Sequence, residues 1–218
     1  MDTEFIMDFI TKALYMLPGI LIGFTVHEYA HAYVSTKLGD YLPKSQGRLT
    51  LSPTAHIDPI GLALFLFMGF GWAKPVQTNP SSYKNYRRGS IMVALAGVTA
   101  NLITVIVFTL ITKIFFIVIF SMNIAYMGNT IQIILDIFDK VIWVNIILML
   151  FNLIPIPPLD GFQVLFNIIG IRGRMVLEKI LPYSTFILMA FIISPLSDIL
   201  LRAPINWIYL LIVKFLAM

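Results

Sequence analysis

His27, Glu28 and His31 are the strongly polar side chains of an apolar stretch that runs from residue 13 to residue 36. They spell His-Glu-Tyr-Ala-His, with the histidines four positions apart. On a helix, residues i and i+4 share a face, so both imidazoles can bind one metal ion. Glu28, next to the first histidine, can reach a water held by that metal without being a ligand. The metal lowers the pKa of the water toward 7, and Glu28 takes the proton. Two imidazoles and a carboxylate inside a lipid-spanning segment are costly, which marks them as a functional site. The chain has three histidines in all, and two of them fall at this spacing.

A catalytic zinc site takes three protein ligands and leaves one position open. Asp160 is the leading candidate for the third ligand, with His56 as the other. Pro155, Pro157 and Pro158 stop a helix just before Asp160, so its carboxylate can sit on irregular backbone. Backbone of that kind is tolerated at membrane depth only when packed in protein or lining water. The plainer reading of Asp160 is a cap on a short helix beginning near Gly161. His56 lies before Ile57-Asp58-Pro59, a loop-to-helix corner, and reads as a structural histidine, a substrate or transition-state contact, or the third ligand. Asn101 and Asn152 can each hydrogen-bond a scissile carbonyl or a developing oxyanion, or simply join two helices.

The elements that must position these residues belong to a membrane protein. The chain is 59% hydrophobic and 12% charged over 218 residues, where soluble domains hold about 45–50% and 25%. The expected fold is an all-α polytopic membrane protein of about five to six transmembrane or re-entrant helices, forming a single domain over residues 1–218. Helices are expected at about 5–38, 58–73, 89–120, 130–154, 176–197 and 203–217. Asp58-Pro59 suits an N-cap with proline at the first helical position. The second helix is short, with 15 uncharged residues between Asp58 and Lys74 and breaks at Gly69, Gly71 and Pro75, and suits a re-entrant element. A short β-like loop region between the first two helices includes the alternating Arg48-Leu49-Thr50-Leu51. Asp136 and Lys140 read as an interfacial pair, and Trp72, Trp143 and Trp207 as packing or interface anchors.

Ten of the fifteen basic residues lie around 37–48, 74–88 and 172–179, and none lies around 121–129. Cytoplasmic loops carry the excess of Lys and Arg, so these segments are expected in the cytoplasm and the N-terminus outside. His27 to His31 then lie about 9–15 Å from the cytoplasmic end of their helix, on the side where Asp160 also falls. The net charge of +4 forms no basic face with interleaved aromatics, so no nucleic-acid partner is expected. There is no cysteine, which excludes disulfides and thiolate sites. No removable signal peptide is expected.

On His27-Glu28-Tyr29-Ala30-His31, and on Asn152 through Gly161 with its N-x-x-P-x-P-x-L-D-G pattern, the chain resembles the site-2 proteases, which are zinc intramembrane proteases. Ala55 through Gly61 and Gly71 through Val76 look like segments of the compact bacterial members. The resemblance covers about residues 16–165, leaving C-terminal helices over about 174–218 that could gate access or mediate dimerisation. It implies one Zn2+ per chain on His27, His31 and Asp160, Glu28 as general base, and cleavage of transmembrane protein substrates in the lipid bilayer. It also implies a multi-pass protein of the bacterial plasma membrane. No PDZ or CBS domain is expected, so substrate selection would fall to the membrane core, the loops or a regulatory membrane protein. Two other classes compete: a membrane metal transporter or sensor, and a catalytically silent adaptor for transmembrane helices. A base placed between two ligands argues against the first, and the complete His27, Glu28, His31 and Asp160 set against the second.

Overall fold

Apolar runs without water must satisfy their own backbone N–H and C=O groups, and here they do so as helices. The computed structural model describes residues 3–68, 71–122 and 128–218. Its helices are α1 (Thr3–Lys37), α2 (Leu42–Ser45), α3 (Pro59–Met68), α4 (Tyr86–Met122), α5 (Gly128–Asn152), α6 (Asp160–Ile168), α7 (Ile171–Glu178), α8 (Ser184–Ile193), α9 (Pro195–Ser197) and α10 (Ala203–Ala217). Among the described residues, four stretches are long and apolar enough to cross a membrane: Met7–Lys37, Tyr86–Met122, Arg172–Ile193 and Pro195–Ala217. The architecture is that of an all-α polytopic membrane protein. α5 is not among the four, because Asp136, Asp139 and Lys140 sit in its first half. Its second half is buried at Val141, Ile142, Val144, Asn145, Ile146, Leu148 and Met149.

Between helices in lipid there is little hydrophobic gain from association, so close packing decides which faces meet. Gly19 and Gly23, one turn apart on α1, are pressed against α5. A β-carbon at Gly19 would lie 2.8 Å from the carbonyl oxygen of Lys140, and one at Gly23 would lie 2.6 Å from Leu148. α1 and α5 therefore run in the same direction at that contact. Ile20, Phe24, Phe65, Val144 and Leu148 form the core between α1, α3 and α5. A second cluster, Val105, Ile142, Ile146 and Ile205, joins α4, α5 and α10.

Asp58 caps α3 as expected. Its Oδ1 accepts from the backbone N–H of Ile60 at 3.0 Å and of Gly61 at 2.8 Å. With ten residues, α3 is about 15 Å long, too short to span. The expected break at Gly69 lies outside the described residues, as does the centre of the 121–129 turn.

Several expectations need correction. No strand forms over Arg48–Leu51. The Arg48 side chain turns inward and the carbonyl of Thr50 is taken by the imidazole of His56, so this backbone does not pair. Among the described residues, β pairing is limited to one antiparallel bridge between Ile57 and Ala73. The helix expected over 176–197 is broken into α7, a 3-10 turn at Leu181–Tyr183 and α8, with proline at Pro182 and Pro195. A π-helical segment, Asp198–Arg202, leads into α10. Lys140 pairs with Asp139 at 3.1 Å rather than with Asp136, whose carboxylate accepts from Gln132. Asp139 also accepts from the hydroxyl of Tyr209, and Lys113 donates to the carbonyl of Leu216 at 3.1 Å, so α10 is tied to α5 and α4.

Candidate metal centre

His27 and His31 lie one turn apart on α1 and both point at α4. Their partners there are Val93, Gly97 and Asn101, which form a single i, i+4, i+8 stripe. Nδ1 of His31 donates to the carbonyl of Val93 at 2.7 Å. Nδ1 of His27 lies 2.7 Å from Oδ1 of Asn101. The two helices thus run antiparallel through the site. Gly97, between those contacts, leaves room for the rings. A β-carbon there would lie 2.5 Å from Cε1 of His27 and 2.6 Å from Nε2 of each histidine.

The orientation of Asn101 is set from behind. Its amide nitrogen donates to the carbonyl of Gly23 at 3.1 Å and to Oδ1 of Asn145 at 2.9 Å, so its oxygen faces His27. Asn145 in turn donates to the carbonyl of Val141 at 2.8 Å. Both imidazoles meet acceptors at Nδ1, which puts their protons there and leaves both Nε2 atoms with lone pairs. Hydrogen-bond partners of this kind, behind the ligands, fix tautomer and ring orientation at metal sites.

Those Nε2 atoms lie 3.0 Å apart. Oδ2 of Asp160 lies 3.1 Å from Nε2 of His27 and 3.3 Å from Nε2 of His31. Asp160 opens α6, where the helix N-terminus favours a carboxylate. Gly161 lets α6 fold back onto the preceding turn, since a β-carbon there would lie 2.2 Å from the carbonyl oxygen of Leu153. Three electron-pair donors converge with no proton between them, and Oδ2 of Asp160 is buried without a hydrogen-bond partner. A cation at their centre satisfies all three at once. Two imidazoles and one carboxylate suit zinc, with a fourth position left open. Among the described residues, these three form the single group of His, Asp and Glu side chains placed to share a metal ion.

Glu28 is buried beside this group. Its Oε2 accepts from the backbone N–H of Val76 at 2.8 Å. A cavity of about 690 Å³ opens over the centre, lined by His27, Glu28, His31 and Asp160 together with Trp72, Val76 and Asn152. A second, mainly apolar cavity of about 530 Å³ adjoins it and shares Trp72, Phe151 and Leu188 as walls. Residues 71–79, whose extended backbone edges the first cavity, are anchored by the buried Asp40. Its carboxylate accepts from the N–H of Asn79 at 2.7 Å, the hydroxyl of Ser35 at 2.7 Å and the N–H of Leu42 at 2.9 Å. The Ser35 hydroxyl also meets the hydroxyl of Tyr83 at 2.8 Å.

The remaining candidates separate. Asn101 is fully buried beneath His27, to which it hydrogen-bonds, and does not line the cavity. His56 is also fully buried; its Nε2 donates to the carbonyl of Thr50 at 2.7 Å, and it neither joins the metal group nor lines the cavity. Asn152 donates to the carbonyl of Leu148 at 2.9 Å and does reach the cavity. Sequence reasoning missed Gly97 as a wall of the centre, Asn145 as the prop behind Asn101, and Val76 as the donor to Glu28. The i, i+4 spacing of Gly97 and Asn101 was the available signal for the first. Nothing local marked the other two.

The profile described as "Peptidase family M50" matches residues 117–195, which include Asn152 and Asp160. The chain is 35% identical over 196 residues to a Bacillus subtilis (strain 168) protein named "Putative zinc metalloprotease YwhC", covering 88% of this chain and 86% of that one. It is 26% identical over 205 residues to a Mycolicibacterium smegmatis protein named "Putative zinc metalloprotease Rip2", covering 89% of this chain and 72% of that one. A Mycobacterium tuberculosis (strain H37Rv) protein of the same name is 24% identical over 209 residues, covering 89% of this chain and 72% of that one. No solved structure matches the chain.

Proposed function

This chain belongs to peptidase family M50, the site-2 protease family of zinc metalloproteases, and from that premise we propose that it cleaves peptide bonds within or beside the transmembrane helices of other membrane proteins. The observation that carries the reading is the convergence of Nε2 of His27, Nε2 of His31 and Oδ2 of Asp160, 3.0–3.3 Å from one another, in a cavity that also holds Glu28.

Zinc bound to these three atoms supplies a Lewis acid that activates water at neutral pH. Glu28 accepts the proton of the attacking water through the carboxylate oxygen that Val76 leaves free. It then returns the proton to the leaving amine. Asn152 lines the cavity, and the amide proton that it does not give to Leu148 serves as a hydrogen-bond donor to the carbonyl under attack. Asn101 and Gly97 keep His27 and His31 in place and touch no substrate.

A transmembrane substrate must unwind locally before its peptide bonds can be reached, and its freed backbone needs partners. Lys74, Pro75 and the N–H of Val76 are already engaged by His56, Arg48 and Glu28, so the edge offered beside the cavity is the backbone from the carbonyl of Val76 to Thr78. The apolar walls of both cavities suit side chains drawn from lipid. The catalytic centre lies toward the cytoplasmic side in this reading. Its support is that Ser35 meets Tyr83 and Asp40 meets Asn79, which gathers the basic segments around Lys37, Lys44 and Lys84–Arg88 at one end of the bundle.

The test is co-expression of tagged single-span membrane proteins with the native chain or with Glu28→Gln. A truncated product that depends on intact Glu28 is expected. Equal product from both forms would remove Glu28 from the chemistry.

A further inference from the structure

Arg48 is a buried charge that this chemistry leaves unused. It is 7% exposed, and no carboxylate among the described residues lies within ion-pair distance of it. Its guanidinium donates instead to three backbone carbonyls: that of Ala55, that of Lys74 at 3.1 Å and that of Pro75 at 3.3 Å. Holding a cation out of water without a counter-ion is costly, so the arrangement needs a compensating role.

The peptide group between Pro75 and Val76 supplies one. Its carbonyl accepts from Arg48, and its N–H donates to Oε2 of Glu28 at 2.8 Å. In a trans peptide these two groups point in opposite directions. One peptide dipole therefore lies between a cation and a carboxylate, oxygen toward the first and hydrogen toward the second. Hydrogen bonds in series polarise and strengthen one another where the dielectric is low. Three acceptors on two chain segments also need the planar, many-donor head of arginine; a lysine ammonium is a point charge that cannot span them.

We infer that Arg48 is a positioning residue for Glu28, acting through the Pro75–Val76 peptide. It fixes which carboxylate oxygen is held and which is free to take a proton. The inference rests on the reading of Glu28 as general base. The far end of the same segment is held independently, by Asp40 on the N–H of Asn79. At the near end the N–H of Lys74 donates to the carbonyl of His56 at 2.8 Å, and Arg48 engages the next peptide, the one that meets Glu28.

The experiment uses the full chain in detergent, with Arg48→Met, Arg48→Lys and Glu28→Ala. Bound zinc, kcat and KM on a single-span substrate, and hydrogen exchange at the Val76 amide are measured together. Arg48→Met is expected to lower kcat about 10–100-fold with KM and zinc content unchanged, and Arg48→Lys to recover part of the loss. The Val76 amide is expected to exchange faster in Arg48→Met and in Glu28→Ala. Native kcat in Arg48→Met, or Val76 exchange unchanged by it, overturns the inference. If Arg48→Met does not fold, Arg48→Lys decides by the same two readouts. If the native chain cleaves no substrate, the protease reading fails separately. Val76 protection that requires both Arg48 and Glu28 would still uphold the link, and protection independent of Arg48 would sink it.

Discussion

His27 and Asn101 meet at 2.7 Å across the contact of α1 and α4, ring nitrogen to amide oxygen. That contact ties Asn101 to one of the three side chains that could hold the metal. Asn101→Ala removes the acceptor for His27 and the donor for Gly23 and Asn145. Zinc affinity is expected to fall about 10–100-fold, read by competition with a chelator of known affinity. Unchanged affinity would show that the imidazole holds its orientation without help.

Gly97→Ala separates two effects of opposite sign. Alanine is the better helix former by about 0.5–1 kcal/mol, so helicity should not fall. The new β-carbon would nevertheless lie 2.5–2.6 Å from ring atoms of His27 and His31, and the rings must move. Loss of stoichiometric zinc with helical circular dichroism intact is expected. A variant that keeps its zinc would mean that α1 and α4 can part at no cost to the centre.

Glu28 and Asp160 are both acidic residues of one cavity, and their substitutions should differ in kind. Glu28→Gln should keep zinc and lose about 10²–10⁴-fold in cleavage, the range for a lost general base. Asp160→Ala should lose zinc as well as activity. Chelation of the native protein should abolish cleavage and added zinc should restore it. Zinc retained by Asp160→Ala at native affinity would remove that residue from the ligand set.

Gly19→Val tests the support beneath the centre. Its side chain would press on the carbonyl of Lys140, 2.8 Å from where the β-carbon must sit. Overpacking of this kind costs about 1–3 kcal/mol. A lower melting temperature in detergent is the expected result, with zinc lost at the same temperature as the helices. A native melting temperature would show that α5 can shift to accommodate it.

The metal centre was legible in the sequence where its geometry is local. His27, Glu28 and His31 could be read together because every α-helix repeats every 3.6 residues, so i and i+4 must face one way. Asp160 could be read because three prolines dictate where a helix stops, whatever surrounds it. Asp58 and Pro59 marked the start of α3 for the same reason. Where the reading failed, a distant contact had overridden a local preference. Arg48-Leu49-Thr50-Leu51 alternates like a strand, but the Arg48 side chain finds carbonyls in residues 55, 74 and 75 and draws the segment away from pairing. Asp136 and Lys140 have helix-pair spacing, yet Lys140 binds Asp139, beside the place where Tyr209 of α10 docks.

The sequence by itself determined the residue types, the long apolar helices α1 and α4, and the two halves of the metal site as separate motifs. These follow from backbone geometry and from the cost of polar groups in lipid, which act residue by residue. The tertiary structure alone decided that Gly97 clears space for two imidazoles, that Asn145 and Gly23 orient Asn101, and that a peptide N–H at Val76 holds Glu28. Each of those depends on which faces of α1, α4 and α5 meet. In lipid, that choice is made by side-chain shape and buried hydrogen bonds between segments far apart in the chain, and no short window of sequence contains it.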